Sequence, residues 1–541
     1  MLDLVIRNGK LVDGLGGKAR RGDLGVRDGK VVEMGKVRSS AEVIVDATDR
    51  IICPGFIDLH SHTDYTVVVN PRAESMVRQG VTTAVIGNCG HTPYPVAESR
   101  KKELEEVIFG FVPSVPITWK DLKGYLDRVR KQGVAMNIAA LVGLSSVRTA
   151  VIGLQKREAG ERELRAMRKL VGQAMAQGAF GVSTGLEYLP GMYASTDEII
   201  ELCREARRYE GAFHATHLRN RAEGFLDSTR EAIEICEKSG VPTQISHHVP
   251  RFPSEDKGKA GLALIDRARK RGLDITCDTF PLAQQKFLRQ YAWGSTTLSG
   301  LLPTWAFEGG ANRLRKRLRD PKERSKLRNS DRTQARLAMA GQWDRVMLEY
   351  AENSPAWVGK TFAQISKEEG IDPWDAVFDV LLREKRFYIP MMASAAYSME
   401  SGTSVLSYPN SSVISDGLAL APYGALSDLN FQAIQSYGYI PLLFQKYVRE
   451  EALLTLEEAV RKCTSLPAKR LGISDRGVLR EGAWADVVVF DQNKITCTAT
   501  FKEPRQFPKG IDYVFVNGEA VVNRGRQGDA LPGKTLIARA A

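Results

Sequence analysis

A distorted (β/α)8 barrel of the TIM type, with a small β-sandwich built from both chain ends and a helical insertion, is the fold that this 541-residue sequence predicts. Three observations predict it. From residue 62 onward, short apolar runs alternate with helical stretches, which is the rhythm of a parallel α/β fold. Histidines fall at the carboxyl ends of several of those runs, the face on which a barrel gathers its chemistry. Both chain ends read instead as short strands punctuated by Asn-Gly and Asp-Gly, the dipeptides of tight hairpins.

Residues 1–54 hold the runs Leu4-Val5-Ile6, Lys10-Leu11-Val12 and Lys30-Val31-Val32, broken by Asn8-Gly9 and Asp28-Gly29, and so predict the amino-terminal part of the sandwich. The first part of the barrel follows over 55–282. Its strands are predicted to end in Ile57-Asp58-Leu59, Ala84-Val85-Ile86, Met136 to Leu141, Gly181-Val182-Ser183, Ala212 to His217, Thr243 to His247 and Asp274 to Asp278. Helical stretches lie between them at Glu161 to Gln177, Asp197 to Tyr209 and Gly224 to Ser239. The rhythm lapses over 283–350, where charge dominates, and this segment is predicted to be a basic helical insertion above the barrel mouth. Residues 351–475 then complete the barrel with Ser412 to Asp416 as its last strand, and 476–541 return to β style to complete the sandwich.

The pair His60 and His62 sits two residues apart at the end of a strand, so both imidazoles point to one face, a geometry that suits a divalent metal. His217 and His247 end two further strands. Cys89 follows another in Gly87-Asn88-Cys89-Gly90, where the flanking glycines put the thiol in a loop at the mouth. Asp416, in Ser415-Asp416-Gly417, ends the last strand, where a carboxylate can hold water and take its proton.

Seven cysteines, odd in number and irregularly spaced, argue for reduced thiols and a cytoplasmic location. No apolar run is long enough to span a membrane, and no signal peptide opens the chain. The formal charge of +12 raises the question of nucleic acid, but its distribution answers against that partner. Between Arg313 and Arg332 ten Lys or Arg face three acids, with Leu314, Leu318 and Leu327 at roughly helical spacing, the pattern of a solvated amphipathic helix pair.

In combination, HxH, GNCG, STGLEY, ATHLR, SHH and SDG resemble the N-acyl-D-amino-acid deacylases, a branch of the metal-dependent amidohydrolase superfamily. The resemblance spans nearly the whole chain. It implies hydrolysis of a linear amide by metal-activated water, with Cys89, His217 and His247 as tightly held zinc ligands. It further implies that His60 and His62 mark a second, weaker metal position and that Asp416 is the general base, able also to bind metal. One tight zinc is therefore expected, with room for a weak second. Zinc, or a polarising partner beside it such as Tyr188 or His248, is expected to hold the oxyanion. The partner is a small-molecule amide, and a homo-oligomer is left open.

Departures bear on the substrate. Val249 stands where that family carries a lysine for the substrate carboxylate, and Leu418 to Gly424 replaces its arginine-bearing tripeptide. Amides of uncharged or aromatic amines are expected in consequence. Arg219, Arg221 or an arginine from the insertion remain as cations for a carboxylate, with Arg219 the best placed. A cyclic amide or imide hydrolase of the hydantoinase and dihydropyrimidinase kind stands as the alternative reaction, and a non-catalytic nucleic-acid-binding scaffold as the remote one.

Overall fold

The computed structural model describes all residues except 109–114, 283–290, 308–309, 333–334, 385–389, 428, 430–432, 501–502 and 539–541. Its centre is a ring of parallel strands. Phe56–Asp58, Val81–Ile86 and Asn137–Ala140 form one sheet, and Val142–Gly143, Gly181–Gly185, Phe213–His217, Thr243–Ile245, Ile275–Thr279 and Ser411–Val413 form the next. Asn137–Ala140 and Val142–Gly143 are halves of one interrupted strand, so the ring has eight staves. Their side chains are almost all buried, because helices cover the outside and side chains fill the inside. The last stave closes on the first just beyond the regular strands. Asp416 N donates to His60 O at 3.0 Å, and His62 N donates to Gly417 O at 2.8 Å.

The covering helices form where the apolar period requires them. Glu161–Ala176 buries Met167, Val171, Ala174 and Met175 along one stripe, and Thr196–Arg207 starts where the Ser195 hydroxyl accepts from Glu198 N.

The insertion is larger than the sequence indicates. Ile275–Thr279 pairs directly with Ser411–Val413, so the chain from 280 to 410 stands outside the barrel sheet, whereas the sequence reading ended the insertion at 350. The helices Phe362–Glu369 and Pro373–Arg383 misled that reading because their amphipathic period is that of barrel helices. Nor is the insertion all helical. Tyr291–Thr297, Pro390–Ser398 and Val346–Leu348 make a three-stranded antiparallel sheet.

The basic helices Gly310–Arg319 and Pro321–Arg328 belong to this insertion. Leu314, Leu318 and Leu327 are fully buried beneath them. Arg324 bonds Asp375 and Asp379 at 2.8 Å each, and Arg328 bonds Asp375 at 2.6 Å. These two cations thus pin the second basic helix, Pro321–Arg328, to Pro373–Arg383.

Strands from both chain ends share one nine-stranded sheet, joined where Ile51–Pro54 pairs antiparallel with Val487–Phe490. Leu4, Val26, Ile52, Val487 and Phe515 pack into a common core. Asp28-Gly29 and Asn517-Gly518 turn hairpins here. Asn8-Gly9 does not. It is a bulge inside the single strand Leu2–Leu11, with Asn8 in the left-handed region at φ 63°, which asparagine tolerates as readily in a bulge as in a turn. Among the described residues, no helix is long and apolar enough to cross a membrane.

Candidate metal centre

The ends of the staves bring six side chains together. Asp58, at the end of the first stave, accepts from His60 N at 3.3 Å and from Ser415 N at 3.0 Å, so one buried carboxylate sets the backbone of both the histidine pair and Asp416. Cys89 projects from the loop after Val81–Ile86. Its carbonyl lies so near Gly185 that a Cβ there would come within 2.0 Å of it. From Cys89 Sγ, His60 Nε2 is 3.3 Å away, and His217 Nδ1 and His247 Nε2 are each 3.7 Å away. Asp416 Oδ1 is 3.3 Å from His62 Nε2 and 3.4 Å from His60 Nε2. Two donor sets result, His60, His62, Cys89 and Asp416 in one and Cys89, His217 and His247 in the other, and each could hold a divalent cation. They share the thiol. Cys89, His247 and Asp416 all adopt left-handed backbone, with φ of 52°, 33° and 50°. Strain of this kind costs about 1–3 kcal/mol per residue and persists where the surrounding structure enforces it.

A family model described as "Amidohydrolase family" matches residues 43–248 and 414–522, more than half of the chain. It spans the six residues just placed. The chain belongs to the amidohydrolase family. This amidohydrolase is 33% identical to the N-acyl-D-glutamate deacylase of Alcaligenes xylosoxydans xylosoxydans, over 96% of its own length and 93% of the relative's. The structure of an N-acyl-D-glutamate deacylase from Bordetella bronchiseptica, complexed with zinc and a phosphonate mimic of the tetrahedral intermediate, superposes with a TM-score of 0.80 at 30% identity, covering 99% of this chain and 100% of that one. A D-aminoacylase with a binuclear metal centre gives 0.79 at 28%, with both chains fully covered. A D-hydantoinase gives 0.55 at 15%, which is likeness of fold alone. The amidohydrolase is accordingly a hydrolase of non-peptide C–N bonds that cleaves linear amides. One tight metal with room for a weak second was expected, and the geometry offers two donor sets that meet at one sulfur.

Burial lowers the imidazoles of the amidohydrolase, His60 to about 3 and His217 to about 4, so both are neutral ring donors near pH 7. His62 is the exception. Burial opposes its charge, yet hydrogen bonding to Asp416 and Cys89 lifts it well above the ordinary value. Burial likewise works against the Asp416 carboxylate, and the bond from His62 together with the electrostatic attraction of His60, His62 and Arg221 overcomes it, leaving Asp416 below its usual range. Burial raises the Cys89 thiol, with His62 acting against that rise. An imidazolium at His62 thus supplies positive charge where this donor set would receive it from a cation. His60 Nδ1 is buried without a partner.

Of the residues singled out for substrate, Tyr188 lies at the centre, its ring 4.5 Å from that of His217. Burial raises its phenol well above the ordinary value. His248 and Arg219 are turned to other work. His248 packs 4.9 Å from Phe225 with Nε2 3.2 Å from Thr229 Oγ1, against the covering helix Phe225–Ser239 and away from the interior. It follows the strand Thr243–Ile245 across the left-handed turn at His247, and its backbone N donates to Asp278 O at 2.9 Å. Arg219 is spent on Glu231 at 2.7 Å and on the carbonyls of Met192 and Ala194.

A surrounding set escaped the sequence reading, except for Arg221, which was offered there as a cation for a substrate carboxylate. Glu187 accepts from His217 Nε2 at 2.9 Å and pairs with Arg251 at 3.0 Å. Burial pushes its carboxyl up, but Arg251 and His217 together hold it well below the usual range. Arg221 donates to His247 Nδ1 and to His247 O, both at 2.9 Å, and reaches Tyr397 Oη at 3.4 Å. Asp278 accepts from His247 N and from Gln244 Nε2, and burial raises it to about 7. Glu187 is embedded in the STGLEY motif and is the one a sequence could have offered, since ligand histidines commonly donate to a carboxylate.

Proposed function

We propose that the protein is a zinc-dependent deacylase that cleaves the linear amide of an N-acyl amino acid or N-acyl amine, with Asp416 as general base and two donor sets sharing Cys89, each of which would hold a metal. The single observation that carries this reading is the shared thiol between two complete donor sets. Cys89, His217 and His247 make the softer and tighter position, and His60, His62 and Asp416 complete the weaker one. Thiolate and imidazole suit zinc. When bound there, zinc supplies Lewis-acid polarisation of the amide carbonyl and acidifies water.

The chain's own residues do the rest. Asp416, ionised below the ordinary carboxylate range, accepts a proton from the attacking water and delivers it to the amine nitrogen as the C–N bond breaks. Tyr188 keeps its proton at neutral pH and donates to the developing oxyanion. Glu187 holds His217 in the tautomer that leaves Nδ1 unprotonated towards Cys89, where a metal would be held. Free cysteines, six of them buried, with no disulfide among the described residues, support a reducing compartment, the cytoplasm.

The test pairs metal analysis with turnover of N-acetyl-D-amino acids. More than one zinc per chain at saturation, with deacylation lost on chelation and restored by zinc, is the expected result. Deacylation unaffected by metal removal would overturn the reading.

A further inference from the structure

His91 stands two residues after Cys89 at the barrel mouth, half-buried, and belongs to neither donor set. Its loop, the one after Val81–Ile86, meets the loop after Gly181–Gly185 that carries Glu187 and Tyr188. At their roots the two loops touch backbone to backbone. The approach of Cys89 O to Gly185 is continued by Gly90, where a Cβ would lie 2.6 Å from Gly185 N. Ser183 Oγ fastens the same root by accepting from Gly90 N at 3.0 Å. Farther out, at Leu189, a side chain makes the crossing: His91 Nε2 donates to Leu189 O at 2.8 Å. A carbonyl oxygen can only accept, so the contact places a proton on Nε2 and withdraws that nitrogen from metal binding.

The residue before Leu189 gives that bond its meaning, for it is Tyr188, the phenol placed to donate to the oxyanion. The Tyr188 ring packs over Gly185, where an added Cβ would stand 3.1 Å from Tyr188 Cδ2. It is 4.5 Å from the His217 ring and 6.1 Å from the His91 ring. Within its own segment the Tyr188 backbone closes a turn, its N donating to Gly185 O at 3.2 Å and its O accepting from Met192 N at 2.7 Å. Those bonds set no direction towards the Cys89 loop. His91 does, because a planar ring on two torsions holds its donor at one place. An oxyanion donor works only at hydrogen-bond distance from the developing charge, and a displacement of about 1 Å can cost about 100-fold in rate.

We propose that His91 is a positioning residue for the deacylation: clamped to Leu189 O, its imidazole holds the Tyr188 phenol where the oxyanion forms. This assignment rests on the amide-hydrolase reading, so the experiment separates the two. Zinc-loaded wild type, His91→Phe, which keeps a ring and loses the N–H, and His91→Gln, which restores a donor at the place of Nε2, are assayed on N-acetyl-D-leucine, each also in a Tyr188→Phe background. Zinc content is measured alongside, with amide hydrogen exchange of the metal-free proteins over residues 186–192. His91→Phe should lower kcat about tenfold at similar KM and unchanged zinc content, and His91→Gln should recover most of the loss. In the Tyr188→Phe background His91→Phe should cost less than about twofold, since the residue it positions no longer donates. Exchange over 186–192 should quicken in His91→Phe and not in His91→Gln. A tenfold loss in both backgrounds, a loss that vanishes when rates are expressed per bound zinc, or an unchanged kcat in His91→Phe overturns the positioning role. A wild type that turns over no N-acyl amino acid, with exchange that still follows the donor at residue 91, leaves the clamp standing and overturns the deacylase reading.

Discussion

Asp416 carries the most exposed of the chemical assignments. Asp416→Asn keeps the shape and removes the basicity, so turnover should fall about 100-fold or more while circular dichroism and the zinc held by Cys89, His217 and His247 are retained. Unchanged turnover would reduce Asp416 to a ligand or a turn former. Cys89 faces a different test, because both donor sets need its sulfur. Cys89→Ala should lower the bound zinc of both positions together, and a variant that keeps one full equivalent would show that the thiol is not shared. Glu187→Gln leaves every ligand in place but loses the charge behind His217, and zinc affinity, read by competition with a chromophoric chelator, should drop about 10- to 100-fold. The six clustered residues were legible in the sequence because each ends a recognisable strand or follows one. Arg251 and Tyr397 were not assigned places there, and Arg221 was offered only as a cation for substrate and not as the partner of His247, since an isolated cation or phenol in a loop carries no period that tells a buried one from a solvated one. Arg219 illustrates the reverse error, as nearness in sequence to His217 placed it in the site while Glu231 had claimed it.

At the scale of elements, the barrel strands were legible to within a few residues because strands covered on both faces are written as continuous apolar runs. The insertion was not, for its helices share the amphipathic period of barrel helices and its strands pair with each other across a hundred residues. It is tied down by buried leucines beneath a basic surface, which sets its own energetics. Leu318→Ala empties a fully buried position on Gly310–Arg319 and should cost about 2–5 kcal/mol locally. Hydrogen exchange should then quicken over residues 310–328 while the amides of the barrel strands stay protected. Uniform quickening would show that insertion and barrel unfold as one unit.

The whole molecule is laced by its carboxyl end. Gly533 N donates to Val134 O, Lys534 O accepts from Ile138 N, Leu536 N donates to Ile138 O and Ala538 N donates to Gly178 O, so the tail runs along the barrel beneath the starts of its strands. Ending the chain after Asp529 should remove these bonds and cost about 2 kcal/mol or more, read as a lower midpoint in chemical denaturation. An unchanged midpoint would show the tail to be passive. The nine-stranded sheet has a consequence of another kind, for the order in which the protein is made. Its strand Ile51–Pro54 leaves the ribosome about 430 residues before Val487–Phe490, the neighbour that covers its open edge. A nascent chain must therefore build its barrel while carrying an unpaired apolar edge, which stays open until residues 487–490 have been made. Any chain stalled or clipped before residue 487 keeps that edge bare, so incompleteness is displayed on the surface where a chaperone or protease can read it.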